Sequence, residues 1–560
     1  MTHPAKSFSS THLTAALSFA LVALPSMAQQ APDAGRLLQQ DRAAPTLPKY
    51  STGIQIAPPT SATSALGGTE VALKAVRFTG NTLFSNAQLT ALLNGNATDI
   101  TTKPFDLAGL QVLAQRVSEH YRAAGYPFAR ALIPEQNFSD GVLHIAVIEG
   151  RYGKVQSAGD DAPLVLKADR FLSSLVPGSV ISAAALERAT LILDDQPGIG
   201  TLAVIRPGTA IGTGDLEVRV KRTTPFSADL SLDNHGNHYT GEYRARVNLQ
   251  LNSPFTLGDQ VTVRGGVSDE RQWLGNLGYS LPLGASGLRA NIGFAHSSYE
   301  LAKQFSSLNA TGTADIASLG LSYPMIRSQR VNLSLAGTFQ DKILNDQQRT
   351  TNTQVDKKSQ VVPLTLQFDR RDSLGGGGIT FGSLGFASGQ LDLDMTQQIS
   401  DAKSANTQGN FSKWSLDIAR IQATPQSKLS FYGRLSTQWA SKNLDSSEDF
   451  GLGGPNGVRA YPGSEGFGDE GWLMQIEARY QIGSVAPYTF YDAGRVVTNK
   501  SPWVVGSNDR ELSGYGVGLR YNVNSWSVDA SLAWRDRGGQ SSADTTDTNP
   551  RLWLAARWRL

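Results

Sequence analysis

Along residues 225–560 apolar and polar positions alternate in one long segment after another, and the helical period is absent. In LSFYGRLSTQWA, Leu429, Phe431, Leu435 and Trp439 share one face while Ser430, Tyr432, Arg434, Ser436 and Gln438 share the other. A strand sends successive side chains to opposite sides, so this spacing predicts strands. YGVGLRYNVNSWSVDASLAWR repeats the pattern: Tyr515, Val517, Leu519, Tyr521 and Val523, a short turn, then Trp526, Val528, Ala530, Leu532 and Trp534. The terminal RLWLAARWRL places Leu552, Leu554, Ala556, Trp558 and Leu560 on one face and Arg551, Arg557 and Arg559 on the other.

Alternation also suits a water-soluble β-sandwich. Here, however, the strands are long, aromatic residues (Trp439, Trp526, Trp534) fall near the ends of apolar faces, and the face that would line a core is polar. A transmembrane β-barrel has that arrangement, with apolar residues toward lipid and polar ones toward the lumen. Membrane strands of about 9 to 11 residues plus connections let residues 225–560 supply fourteen, sixteen or eighteen strands. Closure is required, because an open edge would leave backbone amides unpaired in lipid.

Residues 71–222 have a different texture. VALKAVRFTGNTLF reads as strand, SNAQLTALLN as a short capped helix, and FDLAGLQVLAQRVSEHYRAAGY as an amphipathic helix with Leu107, Leu110, Leu113 or Ala114, Val117 and Tyr121 on one face. VLHIAVIEG closes the unit as a strand. A second unit repeats the order: RYGKVQSAG as strand, KADRFLSSLV and SAAALERATLILDDQPG as helices, GTLAVIRPG and GDLEVRVKR as strands. Two α+β units, 71–150 and 151–224, therefore precede the barrel at 225–560.

At the N-terminus, Lys6 precedes the apolar run 13–24, followed by Pro25 and the small residues Ser26 and Ala28 before Gln29. This reads as a cleaved signal peptide over 1–28, too short to span a bilayer as a helix. Residues 29–45 hold one helical candidate, AGRLLQQDRAA within 32–44. Residues 46–70, with prolines at 48, 58 and 59, read as a linker.

A net charge of +2 leaves no electrostatic footprint for nucleic acid. With no cysteine the chain has no disulfide, thiolate metal site or cysteine nucleophile. GGGG at 375–378 lacks the Lys-Ser/Thr and the strand-to-helix context of a phosphate loop and reads as a turn. His235 and His238, three apart, would fall on opposite faces of a strand, a poor metal pair. No metal, cofactor or catalytic residue is indicated, and an enzyme is not expected.

One segment is too glycine-rich to be a strand: FGLGGPNGVRAYPGSEGFGDEGW, residues 450–472. Its glycines allow tight turning around Val458, Arg459, Ala460 and Tyr461. A guanidinium inside a barrel needs a carboxylate, and APYTFYDAGRVV offers one, with Phe490, Asp492 and Gly494 on a single strand face. Pairing Arg459 with Asp492 would pin the loop to the inner wall.

These residues carry a resemblance. Val458, Arg459, Ala460 and Tyr461 match the V-R-G-Y loop tip of the TpsB transporters of two-partner secretion, of the haemolysin- and haemagglutinin-secretion type. That family belongs to the superfamily that includes the barrel assembly proteins. GDEG at 468–471, the F-x-D-x-G of Phe490, Asp492 and Gly494, and LDNHGNHYTGEYR at 232–244 for the first barrel strand complete the match. Ala460 stands where the family has glycine, which bears on the backbone angle there. The resemblance implies a sixteen-stranded outer-membrane barrel, two periplasmic POTRA domains and an N-terminal plug helix at 29–45. It implies a monomer that takes a secreted TpsA-type exoprotein at its POTRA domains, sits in outer-membrane lipid and is inserted by the barrel assembly machinery. Arg459 would then either gate the pore or latch its shape. Other readings are a factor inserting other barrels, a passive porin, and a soluble binding protein.

Overall fold

The computed structural model describes residues 31–40, 46–48, 69–94, 100–426, 428–544 and 546–560. The expected signal peptide and most of the linker lie outside the described residues. The first described element is helix α1 (Ala34–Gln40), and two α+β units follow.

In the first unit, β1 (Ala75–Thr79), α2 (Asn86–Asn94), α3 (Leu107–Ala123), β2 (Arg130–Leu132) and β3 (Val142–Ile148) build a sheet of order β1-β3-β2, with β1 parallel and β2 antiparallel to β3. Asp106 caps α3 by accepting from the Gly109 amide at 2.8 Å. Leu110, Leu113, Val117 and Tyr121 of α3 are buried on the sheet, as their spacing predicts. Leu107, expected on the same face, is exposed instead, at the first residue of the helix.

The second unit repeats the arrangement with β4 (Arg151–Ala158), α4 (Ala162–Leu172), α5 (Ala183–Asp194), β5 (Ile199–Pro207) and β6 (Thr213–Arg222), in the order β4-β6-β5. Helix α4 begins at Ala162, ahead of the expected 167, since Asp161 caps it through the Leu164 amide.

A buried carboxylate joins the units. Glu149 accepts from the Thr82 hydroxyl, the Thr82 and Leu83 amides, and Tyr121 Oη, and pairs with Arg151 at 3.0 Å. Burial works to raise its pKa, but the donors Thr82, Leu83 and Tyr121 outweigh it and hold the carboxyl below its usual value.

Beyond β6, sixteen antiparallel strands close into a barrel running from Phe226–Asp233 to Arg551–Arg559. The register at the seam runs from Ala555 opposite Asp233 to Arg559 opposite Asp229. Asn234 extends it, its amide nitrogen donating to the Leu552 carbonyl at 2.9 Å and its oxygen accepting from the Leu554 amide at 2.7 Å. Phe431, Leu435, Trp439, Val517, Leu519 and Leu554 all face outward, exposed, as a lipid-facing surface requires. Four strands, from Ala310–Arg327 to Gly378–Leu393, have 18, 18, 20 and 16 residues and project past the band that about 9 to 11 residues span.

LDNHGNHYTGEYR requires a correction. The first strand ends at Asp233 and the second begins at Arg244, so most of the motif is the turn between them, where Asn and Gly stop a ladder from continuing. His235 and His238 are accordingly in a turn: His235 packs edge-on against Trp553, and His238 Nδ1 lies 2.8 Å from Glu242.

The second α+β unit is fastened beneath one side of the barrel. Arg188 donates to the carbonyls of Met325 and Ser286 and to Tyr323 Oη, and Arg327 pairs with Asp195 through Nε and Nη2 at 2.6 and 2.7 Å. Ser253 donates to the Pro197 carbonyl, and Arg289 to Gln196.

Candidate functional site

The connection between strands Leu429–Ala440 and Glu470–Tyr480 folds into the barrel instead of away from it. Short strands Phe450–Gly451 and Phe467–Gly468 pair at its neck. Between them the Val458 amide donates to the Leu452 carbonyl and the Tyr461 amide to the Val458 carbonyl, so the tip is a closed turn.

Arg459, 5% exposed, projects from that turn onto the wall. Its Nε and Nη2 donate to Asp492 Oδ2 and Oδ1 at 2.8 and 2.7 Å, and its own amide adds a third bond at 3.1 Å. This is the bidentate fork of a guanidinium on a carboxylate. Nη1 goes to a second carboxylate, Glu477 Oε1, at 2.7 Å. The guanidinium lies 3.6 Å from the centroid of the Phe490 ring. Glu477 also holds Arg479 and Arg520, each of which covers a tyrosine, Tyr432 and Tyr488 respectively. The inner wall is thus a layer of paired charges to which the loop contributes Arg459.

The neighbours of Arg459 seal it in. Val458 and Tyr461 are fully buried, and the Tyr461 hydroxyl lies 2.8 and 3.0 Å from the carbonyls of Arg537 and Gly539. Ala460 does not adopt a left-handed backbone, so its methyl group is tolerated where a glycine was expected. That methyl lies against Gly514, where an added Cβ would come within 2.4 Å. Gly494, on the same face as Asp492, likewise yields to Leu452, 2.4 Å from where its Cβ would be.

Two contributors went unread in the sequence. Glu477 lies two residues from Gln475 on the inward face of its strand, and that alternation was the available signal. Trp553 lies on the inward face of the last strand and donates from Nε1 to the Arg459 carbonyl at 2.7 Å. Farther along the loop, the fully buried Glu465 accepts from Arg510, Ser541, Ser542 and the Ala543 amide, tying the loop to the connection before the last strand.

The arm of the loop before the tip also holds α1. Ser446 donates to Asp33 at 2.8 Å, Gln39 donates to the Ser447 carbonyl, and the Ala34 amide donates to Asp346 at 3.0 Å. Ala34 and Leu37 pack on Tyr239, Tyr299, Leu301, Ala310, Ala314 and Leu344, inside the end of the barrel away from the α+β units. The described helix covers 34–40 of the expected segment; residues 29–30 and 41–45 lie outside the described residues.

The sequence profile described as haemolysin secretion/activation protein ShlB/FhaC/HecB matches residues 212–521, and that of the ShlB-type POTRA domain matches residues 71–150. The heme/hemopexin transporter protein HuxB of Haemophilus influenzae is 27% identical over 470 residues, 81% of each chain. The hemolysin transporter protein ShlB of Serratia marcescens is 25% identical over 476 residues, 81% of this chain and 80% of that one. In fold the chain is similar to CdiB from Escherichia coli, with a TM-score of 0.71, 20% identity, and 94% and 95% of the two chains covered. A barrel preceded by α+β units is thus matched by profile, relatives and fold together, and the chain belongs to the ShlB/FhaC/HecB family of haemolysin secretion/activation proteins.

Proposed function

We propose that this chain carries a partner exoprotein from the periplasm across the outer membrane. The observation that carries this reading is a closed barrel whose lumen is filled by two of the chain's own segments, α1 and the 450–472 loop, both held by polar contacts. Nothing in such a site suggests chemistry on a bound substrate; it suggests a passage that can be cleared. The barrel lies in outer-membrane lipid, and the α+β units, with 151–224 acting as a second POTRA domain beside 71–150, stand in the periplasm. There they take the unfolded exoprotein by adding its backbone to a sheet edge. The edge strands β1 and β2 of the first unit and β4 and β5 of the second are available for such pairing. Arg459 and Asp492 fix the loop as an inner wall while α1 leaves, and the chain works as a monomer. Adhesins, haemolysins and contact-dependent toxins are all within the class of cargo.

The test compares culture medium and periplasm from cells with and without the chain. A large protein that passes into the medium only when the chain is present supports the proposal. Loss of several other outer-membrane barrels, with the medium unchanged, would favour an insertion factor instead.

A further inference from the structure

The arm that leads into the loop tip, Gly453, Gly454, Pro455, Asn456 and Gly457, has little with which to hold a wall: three of its residues are glycine, one is proline, and Asn456 is exposed. Gly457 packs backbone on backbone, since an added Cβ would lie 2.1 Å from the Leu452 carbonyl oxygen. Arg459, two residues farther on, grips Asp492 and Glu477 and leaves the arm to be held by other groups.

The wall supplies them. Arg434, on strand Leu429–Ala440, donates from Nη1 to the Asn456 carbonyl at 2.9 Å, and Gln475, on strand Glu470–Tyr480, donates from Nε2 to the Gly457 carbonyl at 2.9 Å. The two side chains are buried, lie opposite each other in register and are joined, Arg434 Nη1 also donating to Gln475 Oε1 at 3.1 Å. Gln475 is in turn opposite Asp492, so the hold on the arm and the hold on Arg459 are adjacent on the wall. Asp417 orients Arg434 by accepting from Nε and Nη2 at 3.0 and 2.6 Å, a fork that fixes the guanidinium plane and leaves Nη1 aimed at the arm. Asp417 and Arg434 also line a cavity of about 500 Å³. The arm bounds this cavity on one side, Ser231, Arg244, Ser527, Asp529 and Arg557 of the first two and last two barrel strands bound it on another, and Gln39 of α1 borders it, so departure of α1 enlarges it.

We infer that Arg434, oriented by Asp417, and Gln475 are positioning residues for passage: they hold the arm 453–457 against strands Leu429–Ala440 and Glu470–Tyr480 and so keep the cavity beside it open to a polypeptide in transit. This rests on the secretion reading above and adds which part of the lumen the polypeptide uses. A glycine-rich arm has wide backbone freedom, and without the two donors it swings into the cavity that it now borders.

The chain has no cysteine, so one introduced cysteine carries a nitroxide to a chosen place. Asn456→Cys reports the arm. Gly463→Cys, where an added Cβ meets nothing within 4 Å, reports the returning arm, which Glu465 ties to Arg510. Both labels are placed in the full chain as wild type, Arg434→Met, Arg434→Lys and Gln475→Met, with barrel folding checked by heat-modifiable migration. Release into the medium of the protein that depends on this chain is measured for the same wall variants without label. Arg434→Met and Gln475→Met are expected to make the nitroxide at 456 more mobile, leave that at 463 unchanged and cut release severalfold. Arg434→Lys, with a charged donor on a stem of similar length, is expected to restore part of both; Gln475→Met, which removes no charge, carries the test where loss of Arg434 prevents folding. An unchanged spectrum at 456 in folded barrels, equal mobility gained at 456 and 463, or undiminished release through barrels whose arm has become mobile overturns the proposal. Absence of any protein whose release depends on wild type overturns the secretion reading and the role in passage with it, while the spectra still decide whether Arg434 and Gln475 hold the arm.

Discussion

The indole nitrogen of Trp553, on the last barrel strand, donates to the backbone carbonyl of Arg459 at 2.7 Å, so the strand that closes the barrel also holds the tip of its inner loop. Barrel closure and loop seating are therefore one structural event. Trp553→Phe keeps the ring and removes the donor, leaving a buried carbonyl unpaired at a cost of about 1–3 kcal/mol. The variant barrel should still close, while protease cleavage within the loop becomes faster than in wild type. Unchanged cleavage would mean that the loop is seated without this bond.

Arg459→Ala leaves Asp492 and Glu477 buried with one cation fewer, and breaking a buried pair costs about 3–5 kcal/mol. Glu477→Gln keeps an acceptor for Nη1 and leaves the Asp492 fork intact, so its effect should be smaller, about 1–3 kcal/mol. The temperature at which the folded band disappears in heat-modifiable gels should follow that order. An Arg459→Ala barrel as heat-resistant as wild type would show that the wall is wet enough to screen the charges.

Gly35 of α1 faces the arm of the loop, and a Cβ there would lie 2.4 Å from Ser446 Oγ and 2.6 Å from the Ser447 amide nitrogen. Gly35→Val should therefore displace the helix from the lumen. The full chain in planar bilayers is expected to conduct more, or more often, than wild type. Equal conductance would place the barrier to ions in the loop and not in α1.

The junction of the two α+β units should weaken in acid. Because the Glu149 carboxyl is held below its ordinary value of 4.5, its contribution is complete above that pH and is lost as pH falls through the lower, folded value. Hydrogen exchange at the Thr82 and Leu83 amides should be slow and steady from neutral pH down to about 4.5 once intrinsic rates are allowed for, then accelerate. Glu149→Gln should remove that acid step and raise exchange at neutral pH; an unaltered acid step would assign it to another group.

How much of this was legible in the sequence varies by element. The strands were readable because lipid on one side and a polar lumen on the other enforce strict alternation, which is why Phe431, Leu435 and Trp439 could be placed outward. The loop was readable because only a glycine-rich segment turns so tightly around one arginine. Glu477 and Trp553 were harder, since an inward position says that a residue faces the lumen and not which part of the loop will reach it. The turn at 234–243 matches the family's first-strand motif by resemblance alone, while Asn234 and Gly236 within it mark a stop. Leu107 matches the helical period yet is exposed at the helix start, and periodicity says which side a residue faces but not whether anything covers it there.

The most direct measurement of the account as a whole is export of the partner exoprotein by cells carrying wild type, Arg459→Ala or Asp492→Ala, with equal amounts of folded barrel confirmed in the outer membrane. The account predicts exoprotein in the medium with wild type, and a fall to the level of cells lacking the chain with either variant. Undiminished export through folded Arg459→Ala barrels would contradict the claim that the anchored loop is part of the conduit.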